Sequence, residues 1–280
     1  MQRLDVQGGV VWYAARGTGR PLLFIHGAGT CGTEWERDLV PLADDLRVIV
    51  YDRRGYGASS ASPGTWAAHR DDAARVLEVL RATPAAVVGC GLGAIVALAL
   101  ALERPELVRT LVLLEPAFVA RTTLTAGLVS AVLQAHLVRT LRGARAGAVP
   151  WFRHGLALAA GGTAWDELPP DYRETMLDNA GGLFGDLAAD GPSCLGRRVL
   201  GAIRCPVTII ERPVAPPFLR KSARHLRAAL PHARVVTLDG PGHAVAFHAS
   251  SELLEALRGA VRMGGAARSA GTGEPSTPYA

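Results

Sequence analysis

A doubly wound α/β sheet, mostly parallel, is the fold this sequence predicts. Three observations predict it. Short runs rich in Val, Ile and Leu recur without apolar–polar alternation, as strands buried on both faces of a parallel sheet do. Segments with helical periodicity separate those runs, and strand–helix alternation builds a parallel sheet covered on both sides. Between about residues 118 and 200 the alternation stops and only helical periodicity with Pro and Gly breaks remains. An all-helical lid is therefore expected there, inserted between two sheet strands.

The elements follow in chain order. "VVWYAARG" (10–17) begins with a hairpin signal, and the turn Gly17-Thr18-Gly19 leads into an apolar strand at 21–25. "LRVIVYD" (46–52), "AAVVG" (85–89), "VRTLVLLEP" (108–116), "CPVTII" (205–210) and "ARVVTLD" (233–239) read as the later strands. Helices are expected over 66–81, 93–103, 218–229 and 250–262. The expected organisation is a core of 1–117 and 200–262, a lid over 118–199, and a disordered tail over 263–280, where the residues are small and polar.

The 280 residues suit one large domain, with 49% hydrophobic residues to fill its core. No apolar run approaches the ~20 residues of a membrane span. The start, "MQRLDVQGG", lacks the apolar core of a signal peptide, so a cytoplasmic location is expected. Cys31, Cys90, Cys194 and Cys205 lack metal-ligand or CxxC spacing and are expected to be free thiols. No metal and no cofactor are implied. The net charge is +5, and Lys221 is the only lysine. The densest basic group, Arg139, Arg142 and Arg145, reads as a solvated helix face or as a dock for an acidic partner such as an acyl carrier protein. Interleaved aromatics and any nucleic-acid module are missing, so nucleic-acid binding is not expected.

The stretch "VVGCGLGAIVAL" (87–98) has two readings. Gly89-x-Gly91-x-x-Ala94 fits a dinucleotide fingerprint, with Glu115 about 20 residues on, where a ribose acid would stand. Gly89-Cys90-Gly91-Leu92-Gly93 fits a strand-to-helix nucleophile turn with glycine at its apex. The surrounding blocks decide. "HGAGT" (26–30), "YDRRGYGAS" (51–59), "ERPELVRTLVLLEP" (103–116) and "GPGHA" (240–244) each follow or contain a strand. Together, in this order and spacing, they resemble the α/β-hydrolase superfamily over about 10–117 and 200–260.

The resemblance implies a nucleophile elbow flanked by small residues, and Gly89 and Gly93 are those residues. That frame puts Gly91 at the apex. A frame on Cys90 places Val88 and Leu92 at the tight positions, which is sterically worse, but it leaves Cys90 as an alternative nucleophile. The family's acid position falls at Val214 or Ala215, neither of which can orient a histidine. Glu115 and Glu211, each ending a strand, are the two substitutes, with a rim carboxylate paired to an arginine such as Arg212 as the plain reading. His243, in "GPGH", corresponds to the family's catalytic histidine. His26 is expected to brace its loop, and His248 to pack.

Backbone N–H groups of Leu92 and of Ala28, next to Gly27, are the expected oxyanion hole. Trp151, Phe152, Trp165 and Phe184 imply a hydrophobic pocket under the lid, or lid-to-core packing. The function expected from these residues is a cofactor-free enzyme without the serine nucleophile. It would use His243 for proton transfer in cyclase, lyase, isomerase or direct water-attack chemistry on a small hydrophobic carbonyl or ester compound, with natural-product metabolism as the expected setting. Cys90-based acyl transfer, hydrolysis or cyclisation and a non-catalytic small-molecule binding protein are the alternatives.

Overall fold

The computed structural model describes residues 1–60, 62–117, 126–160, 162–189, 196–213, 215–239 and 250–269. Its centre is a sheet of eight described strands: β1 (Gln2–Val6), β2 (Gly9–Arg16), β3 (Arg20–Ile25), β4 (Leu46–Tyr51), β5 (Ala85–Cys90), β6 (Val108–Leu114), β7 (Val207–Glu211) and β8 (Arg234–Thr237). Their order is β1-β2-β4-β3-β5-β6-β7-β8. From β4 to β8 every pairing is parallel, and the β1–β2 and β2–β4 pairings are antiparallel. The hairpin therefore lies upstream of the expected turn, at Gln7-Gly8. Gly17-Thr18-Gly19 is a crossing and not a hairpin turn, since β2 and β3 do not pair.

Both faces of the sheet are covered, as the unbroken Val/Ile/Leu runs require. Leu23, Ile25, Val87, Leu111 and Leu113 point to one face, against α2 (Trp66–Val79) and α3 (Gly93–Glu103). Leu22, Phe24, Ala86, Val88 and Val112 point to the other, against α1 (Gly32–Leu39) and α11 (Ser251–Ser269). Because side chains alternate along a strand, the neighbours in "LLFI" feed two separate cores. Helix α3 is apolar all round and buried through Ala101, so it serves as the central cross-over of the fold.

Between β6 and β7 the described chain inserts α4 (Ala126–Arg142), α5 (Ala144–Ala160), α6 (Ala164–Glu167), α7 (Pro170–Asp178) and α8 (Ala180–Ala188). A short α9 (Arg197–Leu200) leads to β7, and α10 (Pro217–Ala229) joins β7 to β8. The insertion has its own core, built on Phe152, Trp165, Met176, Leu183 and Phe184. Its arginines are largely used internally. Arg145 pairs with Glu174 and Asp178, and Arg139 lies 4.7 Å over the Phe184 ring, while Arg142 remains exposed.

Helix α11 runs past residue 262 to Ser269, so residues 263–269 are helical where a disordered tail was expected; residues 270–280 lie outside the described chain. Among the described residues, no helix is long and apolar enough to cross a membrane. The two edges of the sheet are β1, which carries the Arg3–Asp5 ion pair, and the four-residue β8, with Arg234 and Val235 exposed.

Candidate functional site

The order of the strands locates the site. The chain passes from β3 outward to β4, then returns to the other side of β3 as β5. In doubly wound sheets such a reversal opens a crevice at the carboxyl ends of the two central strands. Two loops meet there: 26–30 after β3, and the turn at 91 after β5.

Gly91 sits at φ 54°, a left-handed conformation that glycine adopts without strain. Its N–H donates to the Leu114 carbonyl at 3.0 Å, tying the apex to the end of β6. The flanking glycines are required by close contact. A Cβ on Gly89 would lie 2.6 Å from the Ala94 Cα, and one on Gly93 would lie 2.3 Å from the Ile25 carbonyl oxygen. A Cβ on Gly27 would lie 3.1 Å from the Cys90 carbonyl oxygen and 3.7 Å from the Gly91 Cα. These contacts fit the frame centred on Gly91, and they bring Gly27 and Ala28 beside the elbow.

Leu92 is the N-cap of α3, where the first backbone N–H groups have no partner inside the helix. Among the described residues, neither the Leu92 N–H nor the Ala28 N–H is paired with a protein acceptor.

The loop at 26–30 is braced by His26, as its sequence suggested. Its Nδ1–H donates to the Gly27 carbonyl at 2.8 Å, and its Nε2 accepts the Arg53 N–H at 2.9 Å. The bond accepted by Nε2 requires the neutral ring. Burial, then the Arg53 charge, hold the His26 pKa well below the usual histidine range. Arg53 Nε donates to the His26 carbonyl at 3.0 Å.

The other end of Arg53 reaches Asp186 on α8, with bonds of 3.2 and 2.8 Å. Asp186 also accepts from Tyr56 Oη at 2.7 Å and lies 3.2 Å from His69 Nε2. The whole network is buried. Burial alone would raise the Asp186 pKa, but the Arg53 guanidinium and the His69 hydrogen bond outweigh it and hold the carboxyl well below its usual range. His69 is also pushed down, mainly by burial.

Two neutral buried histidines set a pH dependence. In the unfolded chain both titrate near pH ~6.5. Their folded values are lower, so below that pH the unfolded state binds more protons and stability falls. The unfolding free energy is expected to drop by up to about 1.4 kcal/mol per pH unit for each histidine as pH falls below ~6.5. Urea midpoints measured between pH 8 and pH 5 check this; a flat profile across that range would refute it.

Glu115 and Glu211 prove different. Glu115 follows β6 at φ 43°, is 5% exposed, and has its Oε1 3.5 Å from Arg212 Nε. Its backbone directly follows Leu114, the acceptor of the Gly91 N–H, so it stands beside the elbow. Glu211 is half-buried and pairs with Arg227 of α10 at 3.1 Å, so each carboxylate has an arginine partner, Glu115 in the buried interior and Glu211 at the rim.

Cys90 is buried in the core beneath the turn, and burial, then the Glu115 charge, push its thiol far above the usual range. A thiol held protonated in this way is a poor nucleophile. His243, Val214, Cys194 and His248 lie outside the described residues.

Trp151 is half-buried and packs on the core of the insertion. Its neighbour Phe152 is the one that reaches the loop after β3, with its ring 2.8 Å from a Cβ built on Gly29 and Met176 close behind. Sequence reading missed Asp186 and Met176. Both lie more than 100 residues from the motifs they touch, in an insertion that the family motifs do not cover.

The chain is 41% identical over 105 residues to the putative non-heme bromoperoxidase BpoC of Mycobacterium tuberculosis, covering 36% of this chain and 40% of that protein. It is 38% identical over 113 residues to 2-hydroxymuconate semialdehyde hydrolase of Pseudomonas sp. strain CF600, covering 37% and 39%. These matches span about two fifths of the length of each relative. Among solved structures, a thermophilic esterase from Thermogutta terrifontis superposes with a TM-score of 0.73 at 25% identity, covering 94% of this chain and 99% of that one.

These names correct the expected chemistry. The expectation of His243-driven cyclase, lyase, isomerase or direct water-attack chemistry, with Cys90-based acyl transfer, hydrolysis or cyclisation and non-catalytic binding as alternatives, is overturned by relatives named as hydrolases, esterases and bromoperoxidases, which point to ordinary hydrolysis. A model of the alpha/beta hydrolase family matches residues 22–256, and the chain belongs to that family.

Proposed function

We propose that the protein hydrolyses a carboxylic ester, or a related carbonyl bond, of a small hydrophobic molecule. The observation that supports this reading is the close approach of the loop at Gly27 to the turn at Gly91, the two segments whose next residues, Ala28 and Leu92, carry N–H groups without a protein acceptor among the described residues. A carbonyl oxygen accepting from both gains negative charge as the acyl carbon becomes tetrahedral. Such donors stabilise a developing oxyanion by about 3–4 kcal/mol each.

The acyl C–O bond then breaks, the hydroxyl of water remains on the acyl carbon, and the leaving oxygen takes the proton. His243 is given the proton transfer, in the loop after the last strand. Glu115 is preferred over Glu211 as its orienting carboxylate, because Glu115 adjoins the elbow. Residue 91 contributes backbone only, so we read the enzyme as other than a conventional serine hydrolase. The helical insertion acts as the lid in this reading, with Phe152, Met176 and the flanking Trp151 as the apolar wall.

The test is turnover of p-nitrophenyl butyrate and a panel of lactones, with and without a fluorophosphonate. Saturable hydrolysis that the fluorophosphonate leaves intact is expected. His243→Ala should reduce it by about 100-fold or more. Failure to hydrolyse any ester or lactone would sink the reading, and inactivation with a labelled serine would sink its serine-independent part. Gly91→Ser is expected to become labelled at residue 91 if the turn is an elbow.

A further inference from the structure

Glu115 and Arg212 also line a second cleft, of about 130 Å³, between the carboxyl ends of β6 and β7 and one face of α10. Arg220, Arg224 and Arg227 border it from α10, spaced four and three residues apart and so on one face of the helix. Arg227 is occupied by Glu211. Arg220 and Arg224 have no hydrogen-bond or ion-pair partner among the described residues.

Two like charges one turn apart repel each other. The repulsion is reinforced here, because Arg220 lies near the positive end of the helix dipole and the first turn of α10 carries no acid. The remaining walls include Pro116, Ala215 and Leu219, whose apolar surface concentrates the field of the guanidinium groups instead of screening it. The volume suits a single polyatomic anion or the charged end of a larger molecule, and falls below the roughly 300 Å³ at which whole-ligand pockets begin.

We propose that this cleft is a binding site for a small oxyanion, a carboxylate or a phosphate, held between the guanidinium groups of Arg220 and Arg224. The forked donors of arginine match the paired oxygens of either group. Arg212 lines the same cleft and pairs with Glu115 beside the elbow, so an anion that draws on Arg212 is felt at the hydrolytic site. The binding itself does not depend on the hydrolytic reading.

Titration calorimetry with inorganic phosphate and with succinate, at ionic strength held constant with chloride, tests it. Saturable binding of one or both is expected, and their order of affinity tells a phosphate site from a carboxylate site. The Arg220→Gln/Arg224→Gln double variant should bind about tenfold more weakly or worse. Both side chains are exposed, so that variant should still fold, and Arg142→Gln on α4 should bind as the unaltered protein does. Equal binding by the double variant, or no saturable binding of either anion up to about 20 mM, overturns the proposal.

Discussion

Asp186→Ala is expected to lower the unfolding free energy by about 3–5 kcal/mol. The carboxylate is 1% exposed and serves three donors: the Arg53 guanidinium, the Tyr56 hydroxyl and the His69 ring. Removing it leaves the Arg53 charge buried without its counter-charge, which is the expensive way to break a buried pair. Arg53 cannot swing to water, because its Nε and backbone N–H are both fixed on His26. The loss therefore reaches the loop that carries Ala28.

Arg53→Met should be damaging for the mirror-image reason. The Arg53→Met/Asp186→Leu double variant should lose clearly less than the two single losses added together, since no charge is then stranded. Urea unfolding of the four proteins measures all of this. A loss below about 1 kcal/mol for Asp186→Ala would show that the network is solvated and not sealed.

Gly93→Ala is the second change with a large expected effect. Its Cβ would lie 2.3 Å from the Ile25 carbonyl oxygen and 2.5 Å from that of His26. Both are backbone atoms at the end of a central strand, so neither can step aside. Either α3 retreats or β3 bends, and overpacking of this kind costs about 3 kcal/mol. A displacement of even ~1 Å between the two loops should also lower hydrolysis by about 100-fold. Gly259→Ala on α11 is the matched control. A Cβ there meets nothing within 4 Å, so that exchange should stabilise by up to about 1 kcal/mol through helix propensity. If Gly93→Ala behaves like Gly259→Ala, the tight-elbow account fails.

The parallel core was legible because its signal is local. A strand buried on both faces must be apolar at successive positions, and "LLFI", "VVG" and "LVLL" are. The elbow frame was legible for the same reason, since close packing demands glycine at 89 and 93 whatever the chemistry. The pairing of β2 with β4 was not legible, because nothing local distinguishes that neighbour from β3. Asp186 was invisible because its partner, Arg53, lies 133 residues away. The end of α11 was misjudged because Gly and Ala read as tail, while the apolar face of Leu253, Leu254, Leu257 and Val261 anchors the helix to the sheet.

The chemistry was the least legible part. Glycine at 91 turned the reading toward lyase, cyclase and isomerase chemistry, and the names of relatives turned it back to ordinary hydrolysis.

The margins of the sheet have a consequence for self-association. An unpaired strand invites another chain to continue the ladder, and natural proteins discourage this with short or charged edges. Here one margin presents Arg3 and Asp5 and the other offers only four residues, headed by Arg234. Two copies growing side by side would have to bury those charges for few ladder bonds. Any stable assembly of this chain should therefore be built through its helices, leaving the β-sheets of its subunits separate.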